Sequence, residues 1–210
     1  MSKPKIIPSI MGKNQKEINA LFKKLKGTSK RFHLDIADRK CVPNTSLWFD
    51  LKLPRTCAYA AHLMIRKPLE WMKRYEKKID LFIPQFEEIG DWQEYLDWTK
   101  AHKKKRAISI RPKVNIKKVM AHIKDLDYLL VLTVQPGFYG APFAPQALKN
   151  IKMFKKANPK LKIIVDGHMN QKTAPWAIKA GADILVCGSY LAAAENPKKM
   201  LRELKGELKK

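Results

Sequence analysis

Short apolar runs alternate with longer amphipathic stretches along the whole of this chain. Each apolar run has the length of a β-strand and is followed by a lysine-rich stretch of helical length, a pattern typical of a parallel sheet covered by helices. Eight such runs occur, and the strands they predict cover residues 5–9, 31–36, 57–64, 80–85, 106–110, 128–133, 162–166 and 183–187.

In the amphipathic stretches, apolar residues recur at helical spacing. Ile18, Leu21 and Leu25 lie on one stripe, so this helix should bury one face against the sheet. The predicted helices cover residues 16–25, 69–77, 92–102, 116–123, 146–155, 173–180 and 198–209. A chain of 210 residues suits one domain, residues 1–210, near the lower end of the size range of a (β/α)8 barrel.

Two predicted loops, residues 39–56 and 135–145, are longer than this architecture usually needs. Both follow strands, and the loops at the C-terminal ends of barrel strands form active sites. The second loop contains Gly137, Gly140 and three prolines. We expect it to act as a lid over a binding site.

The composition is that of a folded protein, with 45% hydrophobic and 30% charged residues and no low-complexity tract. The sequence has no run of 18 apolar residues and no signal-peptide h-region, so neither a membrane span nor export is indicated. Cys41, Cys57 and Cys187 are odd in number and isolated, which fits reduced thiols. We therefore expect a cytoplasmic protein.

Four polar side chains stand where metal ligands would be expected. His33 and Asp35 are two residues apart in a predicted strand, so they point to the same face. His62 and Asp166 lie at or near the ends of two other apolar strands, at the same mouth of the sheet. Two histidines and two aspartates that converge at strand ends are typical of a divalent metal site.

The chain resembles the ribulose-phosphate 3-epimerase family from residue 8 to about residue 197. No single motif is long, but their order and spacing along the chain are specific. The motifs are Pro8-Ser9-Ile10, His33-Leu34-Asp35, Val42-Pro43-Asn44, His62-Leu63-Met64, Thr133-Val134-Gln135-Pro136-Gly137-Phe138, Val165-Asp166-Gly167, Thr173-Ala174-Pro175, Ala180-Gly181-Ala182-Asp183 and Gly188-Ser189.

This resemblance implies a TIM barrel of the ribulose-phosphate-binding type and a metal-dependent isomerase of the pentose phosphate pathway. The implied metal shell is His33, Asp35, His62 and Asp166. Zinc is expected, and manganese or iron(II) could substitute in a mixed nitrogen and oxygen shell. The metal would polarise the sugar carbonyl and stabilise an enediolate, while Asp35 and Asp166 serve as the two acid/base groups on opposite faces of the sugar.

The resemblance also implies that Ser9 and His62 touch a phosphorylated ketose. Barrels often bind phosphate through the loops after their last two strands, where Gly167, His168, Gly188 and Ser189 stand. Further backbone amides could come from the lid loop, through Gly137, Phe138 and Gly140.

Several positions depart from the family pattern. His168 stands where the family usually has a second glycine after Asp-Gly, and its bulk could narrow the phosphate pocket. Ala37 and Leu132 stand where methionines are common, which leaves Met64 as the one that matches. Arg39 and Lys40 replace a usual Gly-His, and Gln85 replaces a frequent histidine. These changes leave the expected metal shell intact and bear on which sugar is bound.

The net charge of +24 is unusual for a small enzyme and would suit a protein that binds nucleic acid. The lysines are spread over nearly every predicted helix, and runs such as residues 103–106 are short, so we expect nucleic acid to bind at most nonspecifically. Three hypotheses remain: an epimerase of ribulose 5-phosphate, an epimerase of a related sugar such as allulose 6-phosphate, and a barrel that binds polyanions. The intact set of four ligands favours catalysis. The sequence is compatible with a homo-oligomer.

Overall fold

The structure is a computed structural model that describes residues 4–137 and 141–208. Within these residues, parallel strands curve into a nearly closed barrel, as the strand pattern predicts. The barrel strands are β1 (Lys5–Ile10), β2 (Arg31–Asp38), β4 (Ala58–Met64), β5 (Leu81–Pro84), β6 (Ala107–Ile110), β7 (Tyr128–Leu132), β8 (Lys162–Asp166) and β9 (Ile184–Cys187). A two-residue strand, β3 (Thr45–Ser46), pairs antiparallel with the end of β2.

The strands follow the order β5-β4-β2-β1-β9-β8-β7-β6. Continuous parallel ladders join every neighbouring pair along this path. The two ends of the path, β5 and β6, meet through an isolated parallel bridge between Gln85 and Ser109. The barrel is therefore least completely hydrogen-bonded between β5 and β6, and we call this junction the seam.

Helices connect the strands and cover the outside of the barrel. They are α1 (Gln15–Lys24), α2 (Pro68–Tyr75), α3 (Trp92–Ala101), α4 (Ile116–His122), α5 (Ile151–Ala157), α6 (Ala174–Ala180), α7 (Ser189–Ala193) and α8 (Pro197–Glu207). Side-chain caps fix several of their starts: Asn14 accepts a hydrogen bond from the Glu17 amide, and Asp91 accepts two at the start of α3. Among the described residues, no helix is both long enough and apolar enough to cross a bilayer.

The alternation of side chains along each strand produces two apolar layers. On β2, Leu34 and Ile36 pack outward with helix residues such as Ile18. The inward layer is smaller and consists of Ile83, Ala107, Leu130, Leu132, Ile164 and Val186. Because Leu34 and Ile36 face the helices, His33 and Asp35 are directed into the barrel. The sheet pattern thus fixes which polar groups reach the interior.

The observed elements differ from the predicted ones in several places, among them two 3-10 helices that were not predicted, Phe86–Glu88 and Ile123–Asp125. The helix predicted over residues 146–155 is a 3-10 helix, Pro145–Asn150, followed by the shorter α5. Their apolar spacings are too similar for the sequence to separate them. Strand β3 and helix α7 were not predicted, because two and five residues are too few to show a period.

Candidate active site

His33, Asp35, His62 and Asp166 meet at the C-terminal mouth of the barrel, as the sequence predicts. One nitrogen or oxygen atom from each lies within 4.8 Å of those of the other three. His33 and Asp35 come from β2, and Asp35 is in register with His62 on the neighbouring strand β4. Asp166 ends β8, which lies three strands away from β2 on the shorter path around the barrel. The carboxylates therefore approach the centre from two sides.

Asp35 lies between the two imidazoles. Its Oδ1 atom is 3.3 Å from His33 Nε2 and 3.3 Å from His62 Nδ1. Asp166 is slightly farther, with Oδ2 at 3.7 Å from His33 Nε2 and 4.0 Å from His62 Nδ1. The two imidazole nitrogens and the two carboxylate oxygens thus face a common point.

This donor set fits a divalent metal ion. Two imidazole nitrogens and two carboxylate oxygens are the mixed shell that zinc, manganese and iron(II) accept. His33 Nε2 is buried and has no hydrogen-bond partner among the residues that the structure describes. A buried ring nitrogen is rarely left without a partner, and a bound cation at this point would provide one.

The two carboxyl groups differ in their pKa. Burial alone would raise the pKa of Asp35, but the charges of the two neighbouring imidazoles, that of His33 first, outweigh it and hold that pKa well below its ordinary value. Burial raises the pKa of Asp166 to about 6, and the negative charge of Asp35 adds to this effect. Burial would lower the pKa of His33, yet the charges of Asp35 and Asp166 raise it overall. The protein thus places an ionised carboxylate beside one that is easily protonated.

Gln85 contacts His62 from outside the four-residue cluster, a contact that was not predicted from the sequence. Its Oε1 atom lies 3.1 Å from His62 Nε2 and also accepts a hydrogen bond from the Ser109 hydroxyl. Both Gln85 and Ser109 are fully buried. The available signal was that Gln85 ends an apolar strand run, much as Asp166 does, which places it at the same mouth of the barrel.

Thr133 fixes the end of β8. Its backbone amide donates to the carbonyl oxygen of Asp166 at 2.8 Å, and its hydroxyl is 3.0 Å from the same oxygen and 2.7 Å from that of Gly167. These bonds tie the strand that carries Asp166 to the strand before it. Thr133, which follows β7, therefore holds the end of the strand from which the Asp166 side chain extends.

A cleft of about 730 Å³, counting the part open to solvent, lies above the cluster. The predicted substrate-binding residues Ser9, His62, Gly137, Gly167, His168, Gly188 and Ser189 line it together with Asp35 and Asp166. His33 lies deeper, beneath Asp35 on the same strand. Phe138 and Gly140 lie outside the described residues. Met11 and Met169 also line the cleft and were not predicted, since lone methionines carry no sequence signal.

Three glycines around the cleft allow close packing of its walls. A Cβ atom on Gly188 would lie 2.5 Å from Ser9 Oγ, and one on Gly167 would lie 2.7 Å from Val134 Cγ2. On Gly137, which has a φ of +96°, it would lie 2.8 Å from Pro43 Cδ. The last contact joins the two long loops predicted from the sequence. Larger residues at these positions would push the walls of the cleft apart.

Two departures from the family pattern replace a usual glycine and have a backbone conformation that favours glycine. Arg39 has a φ of 64° and His168 a φ of 55°, both in the left-handed region that favours glycine. The carbonyl oxygen of His168 accepts a short hydrogen bond from the Thr173 hydroxyl. The exposed imidazole therefore sits at the rim of the cleft on a strained backbone.

The other departures have different surroundings. Ala37 is buried in a small cluster with Val42 and Met64 and does not line the cleft. Leu132, by contrast, lines the cleft itself. Of these two exchanged positions, only Leu132 can alter what the cleft accepts by direct contact.

Comparison with known structures agrees with this architecture. The chain superposes on 3-hexulose-6-phosphate synthase from Salmonella typhimurium with a TM-score of 0.67 and 13% identity, covering 97% of this chain and 98% of that one. Orotidine 5'-monophosphate decarboxylase from Sulfolobus solfataricus gives a TM-score of 0.66 and 14% identity, with coverage of 99% and 98%. At these identities the likeness supports the barrel fold alone.

Sequence relatives are more specific. Ribulose-phosphate 3-epimerase from Bacillus subtilis is 30% identical and is matched over 98% of its length by 96% of this chain. The enzyme of the same name from Schizosaccharomyces pombe is 27% identical and is matched over 96% of its length by the whole chain. The profile of the "Ribulose-phosphate 3 epimerase family" matches residues 5–192. With a match that spans the barrel from β1 into α7, this protein is an enzyme that belongs to the ribulose-phosphate 3-epimerase family.

Proposed function

We propose that this protein is a metal-dependent epimerase that interconverts D-ribulose 5-phosphate and D-xylulose 5-phosphate by inverting C3. The observation that carries the proposal is the position of Asp35 and Asp166, which come from separate sides of the barrel and line one cleft. Inversion requires one group to remove a proton from one face of the carbon and another to return a proton to the opposite face. A single carboxylate could do only the first.

Asp35 and Asp166 take these two roles and exchange them when the reaction runs in reverse. His33 and His62 hold Asp35 from both sides, each 3.3 Å from its Oδ1 atom, and so fix the direction in which it accepts a proton. The hydrogen bonds from the amide and the hydroxyl of Thr133 hold the strand end that carries Asp166. Proton transfer depends on such fixed geometry, because the donor and acceptor must reach hydrogen-bond distance of the carbon's proton.

His33, Asp35, His62 and Asp166 would hold one divalent ion, with zinc as the proposed metal and manganese or iron(II) as substitutes. When bound, the ion supplies a Lewis acid that stabilises the negative charge of the enediolate. The buried, unpartnered Nε2 atom of His33 supports this assignment within the described part of the chain.

The phosphate of the sugar would bind near Gly167, Gly188 and Ser189, which line the cleft and could offer backbone amides to it. Ser9, packed against Gly188 beside the cluster, would contact the sugar. The net charge of +24 would attract a dianionic substrate to this mouth. A cytoplasmic location is proposed as well, in keeping with a rice relative, 30% identical, that is named a cytoplasmic isoform.

A coupled assay in deuterium oxide tests the proposal directly. The purified protein is given D-ribulose 5-phosphate or D-allulose 6-phosphate, and both product formation and deuterium at C3 are measured. The second sugar is included because Leu132 and His168, two departures from the family pattern, line the cleft. Asp97→Asn, an exposed change on α3, serves as the control variant.

We expect turnover of ribulose 5-phosphate with deuterium incorporated at C3, and slower turnover of the longer sugar. Turnover of allulose 6-phosphate alone would reassign the substrate while keeping the two-aspartate chemistry. Absence of both turnover and exchange with either sugar, in protein loaded with zinc or manganese, would refute the proposed activity.

A further inference from the structure

We infer that Gln85 is a positioning residue that holds His62 in the tautomer needed for metal binding, an inference that rests on the metal site proposed above. Among the described residues, Gln85 does not line the cleft and forms no hydrogen bond with His33, Asp35 or Asp166. It acts through His62 alone. No motif or comparison assigns it this task.

The geometry gives each nitrogen of His62 a separate direction. Nδ1 points toward Asp35 and Asp166, at 3.3 and 4.0 Å from their oxygens. Nε2 points the opposite way, to Gln85 Oε1 at 3.1 Å. A neutral imidazole carries one N–H and one lone pair, so the proton on one nitrogen determines the role of the other. If Gln85 accepts the Nε2 proton, Nδ1 presents its lone pair to the centre of the cluster.

Gln85 is itself held in place. It is fully buried, and its backbone amide donates to the carbonyl oxygen of Leu63 at 3.2 Å. The Ser109 hydroxyl, across the seam between β5 and β6, donates to the same Oε1 atom that faces His62. The proton of the Ser109 hydroxyl identifies this atom as the amide oxygen, and the Nε2 atom of Gln85 is left without a hydrogen-bond partner among the described residues. A partner of a metal-binding histidine typically has this kind of second support.

The opposite orientation of the Gln85 amide would favour the other tautomer of His62. If the NH2 group of Gln85 faced His62, it would donate to Nε2 and leave the proton of the ring on Nδ1. That proton would point at Asp35 and would block the nitrogen from binding a cation. The two orientations therefore predict opposite tautomers of His62, and only one of them is compatible with a metal ligand.

The tautomer can be read by NMR without any catalytic assay. Long-range 1H–15N correlation spectra of the metal-free protein, at a pH where the ring is neutral, distinguish a protonated Nε2 from a protonated Nδ1. Asp35 Oδ1, 3.3 Å from Nδ1, favours a proton on Nδ1 and so opposes Gln85, and we therefore expect a larger fraction of the Nε2–H form in the wild type than in Gln85→Leu. Gln85→Glu keeps an acceptor at this point and should keep the Nε2–H form. His62→Asn identifies the resonances, and Gln93→Leu, on the surface of α3, is the matched control.

Metal affinity gives a second readout. Competition with a chromophoric chelator should show a dissociation constant for Zn²⁺ that is about 10- to 100-fold higher in Gln85→Leu than in the wild type, the usual effect of losing a partner of a ligand. Gln85→Glu should restore tight binding. Thermal unfolding of every variant checks that the barrel remains folded.

The outcomes separate the two proposals. A wild-type protein with no larger fraction of the Nε2–H form than Gln85→Leu, or a Gln85→Leu variant with unchanged zinc affinity, would overturn the role of Gln85. A wild-type protein that binds no zinc would refute the proposed metal site, and the tautomer measurement would still decide whether Gln85 orients His62.

Discussion

Ser9 and Gly188 face each other at the mouth of the barrel, so closely that a Cβ atom on Gly188 would lie 2.5 Å from Ser9 Oγ. Ser9 is near the end of β1 and Gly188 follows the neighbouring strand β9. The serine hydroxyl therefore occupies the space that a side chain on the other residue would need. Ser9, a proposed substrate contact, can hold this position only because residue 188 has no side chain.

Gly188→Ala should displace the Ser9 side chain and raise the Michaelis constant for the phosphosugar. The forced contact should also lower the free energy of unfolding by about 1–3 kcal/mol, the usual cost of overpacking. Steady-state kinetics and urea unfolding measure the two effects. Gly206→Ala is the matched control, because nothing lies within 4 Å of its added Cβ. An unchanged Michaelis constant in Gly188→Ala would argue against a binding role for this contact.

Asp35→Asn and Asp166→Asn should each lower kcat by about 10²–10⁴-fold, because each change keeps the size of the side chain and removes an acid/base group. Metal affinity should fall as well, so the metal content of each variant must be measured beside its activity. Asp97→Asn should behave as the wild type. A metal-loaded Asp166→Asn protein with near-normal turnover would remove that residue from the mechanism.

Addition of a divalent metal should raise the unfolding temperature, since the four donors are assembled only in the folded protein. At a free metal concentration of 100 times the dissociation constant, the gain is about 2.7 kcal/mol, or about 5–10 °C for a protein of this size. Calorimetry with zinc and with a chelator measures the difference. The shift should vanish in His33→Ala, and a shift that persists there would place the ion elsewhere.

His168→Gly should raise the free energy of unfolding by about 0.5–1 kcal/mol, because glycine relieves the left-handed backbone at a smaller entropic cost. Affinity for the phosphosugar should improve or barely change, and added salt should weaken binding in both proteins. Arg39→Gly, at a comparable φ but outside the residues that line the cleft, should show the stability gain alone. A large rise in the Michaelis constant of His168→Gly would show instead that the imidazole binds the substrate.

Asp183, which does not line the cleft, should make the free energy of unfolding depend on pH. Burial alone would raise its pKa, but hydrogen bonds from Lys155 at 2.6 Å and from the Ile163 amide at 2.8 Å lower it overall. A folded pKa below the unfolded value means that the carboxylate stabilises the protein above the unfolded pKa. This contribution is lost as the pH falls through the folded pKa.

Asp183→Asn should therefore cost about 1–3 kcal/mol at neutral pH, and its difference from the wild type should shrink as the pH falls below about 4. Urea unfolding at a series of pH values, with Asp97→Asn as the control, measures this. A difference that is constant with pH would mean that the charge of Asp183 contributes nothing.

The sequence predicted the barrel and the four clustered side chains because both depend on simple periods. Alternation along β2 placed His33 and Asp35 on one face, and the ends of apolar runs placed His62 and Asp166 at one mouth. The contact of Gln85 with Ser109 could not be predicted, because it depends on where the barrel closes rather than on any local pattern. The left-handed backbone of His168 was also hidden, since its residue type disfavours that conformation.

The four proposed metal ligands are synthesised at different times as each new chain is made. His33, Asp35 and His62 lie on β2 and β4, whereas Asp166 lies on β8, about 100 residues later, and synthesis delivers the strands in that order. A nascent chain that has released β4 carries three donors but lacks the fourth, together with β7 and β9, which pair with it. If the site binds an ion as proposed, tight capture would be a late step of biosynthesis, and a ribosome-bound chain that stops before β8 should exchange any ion it meets.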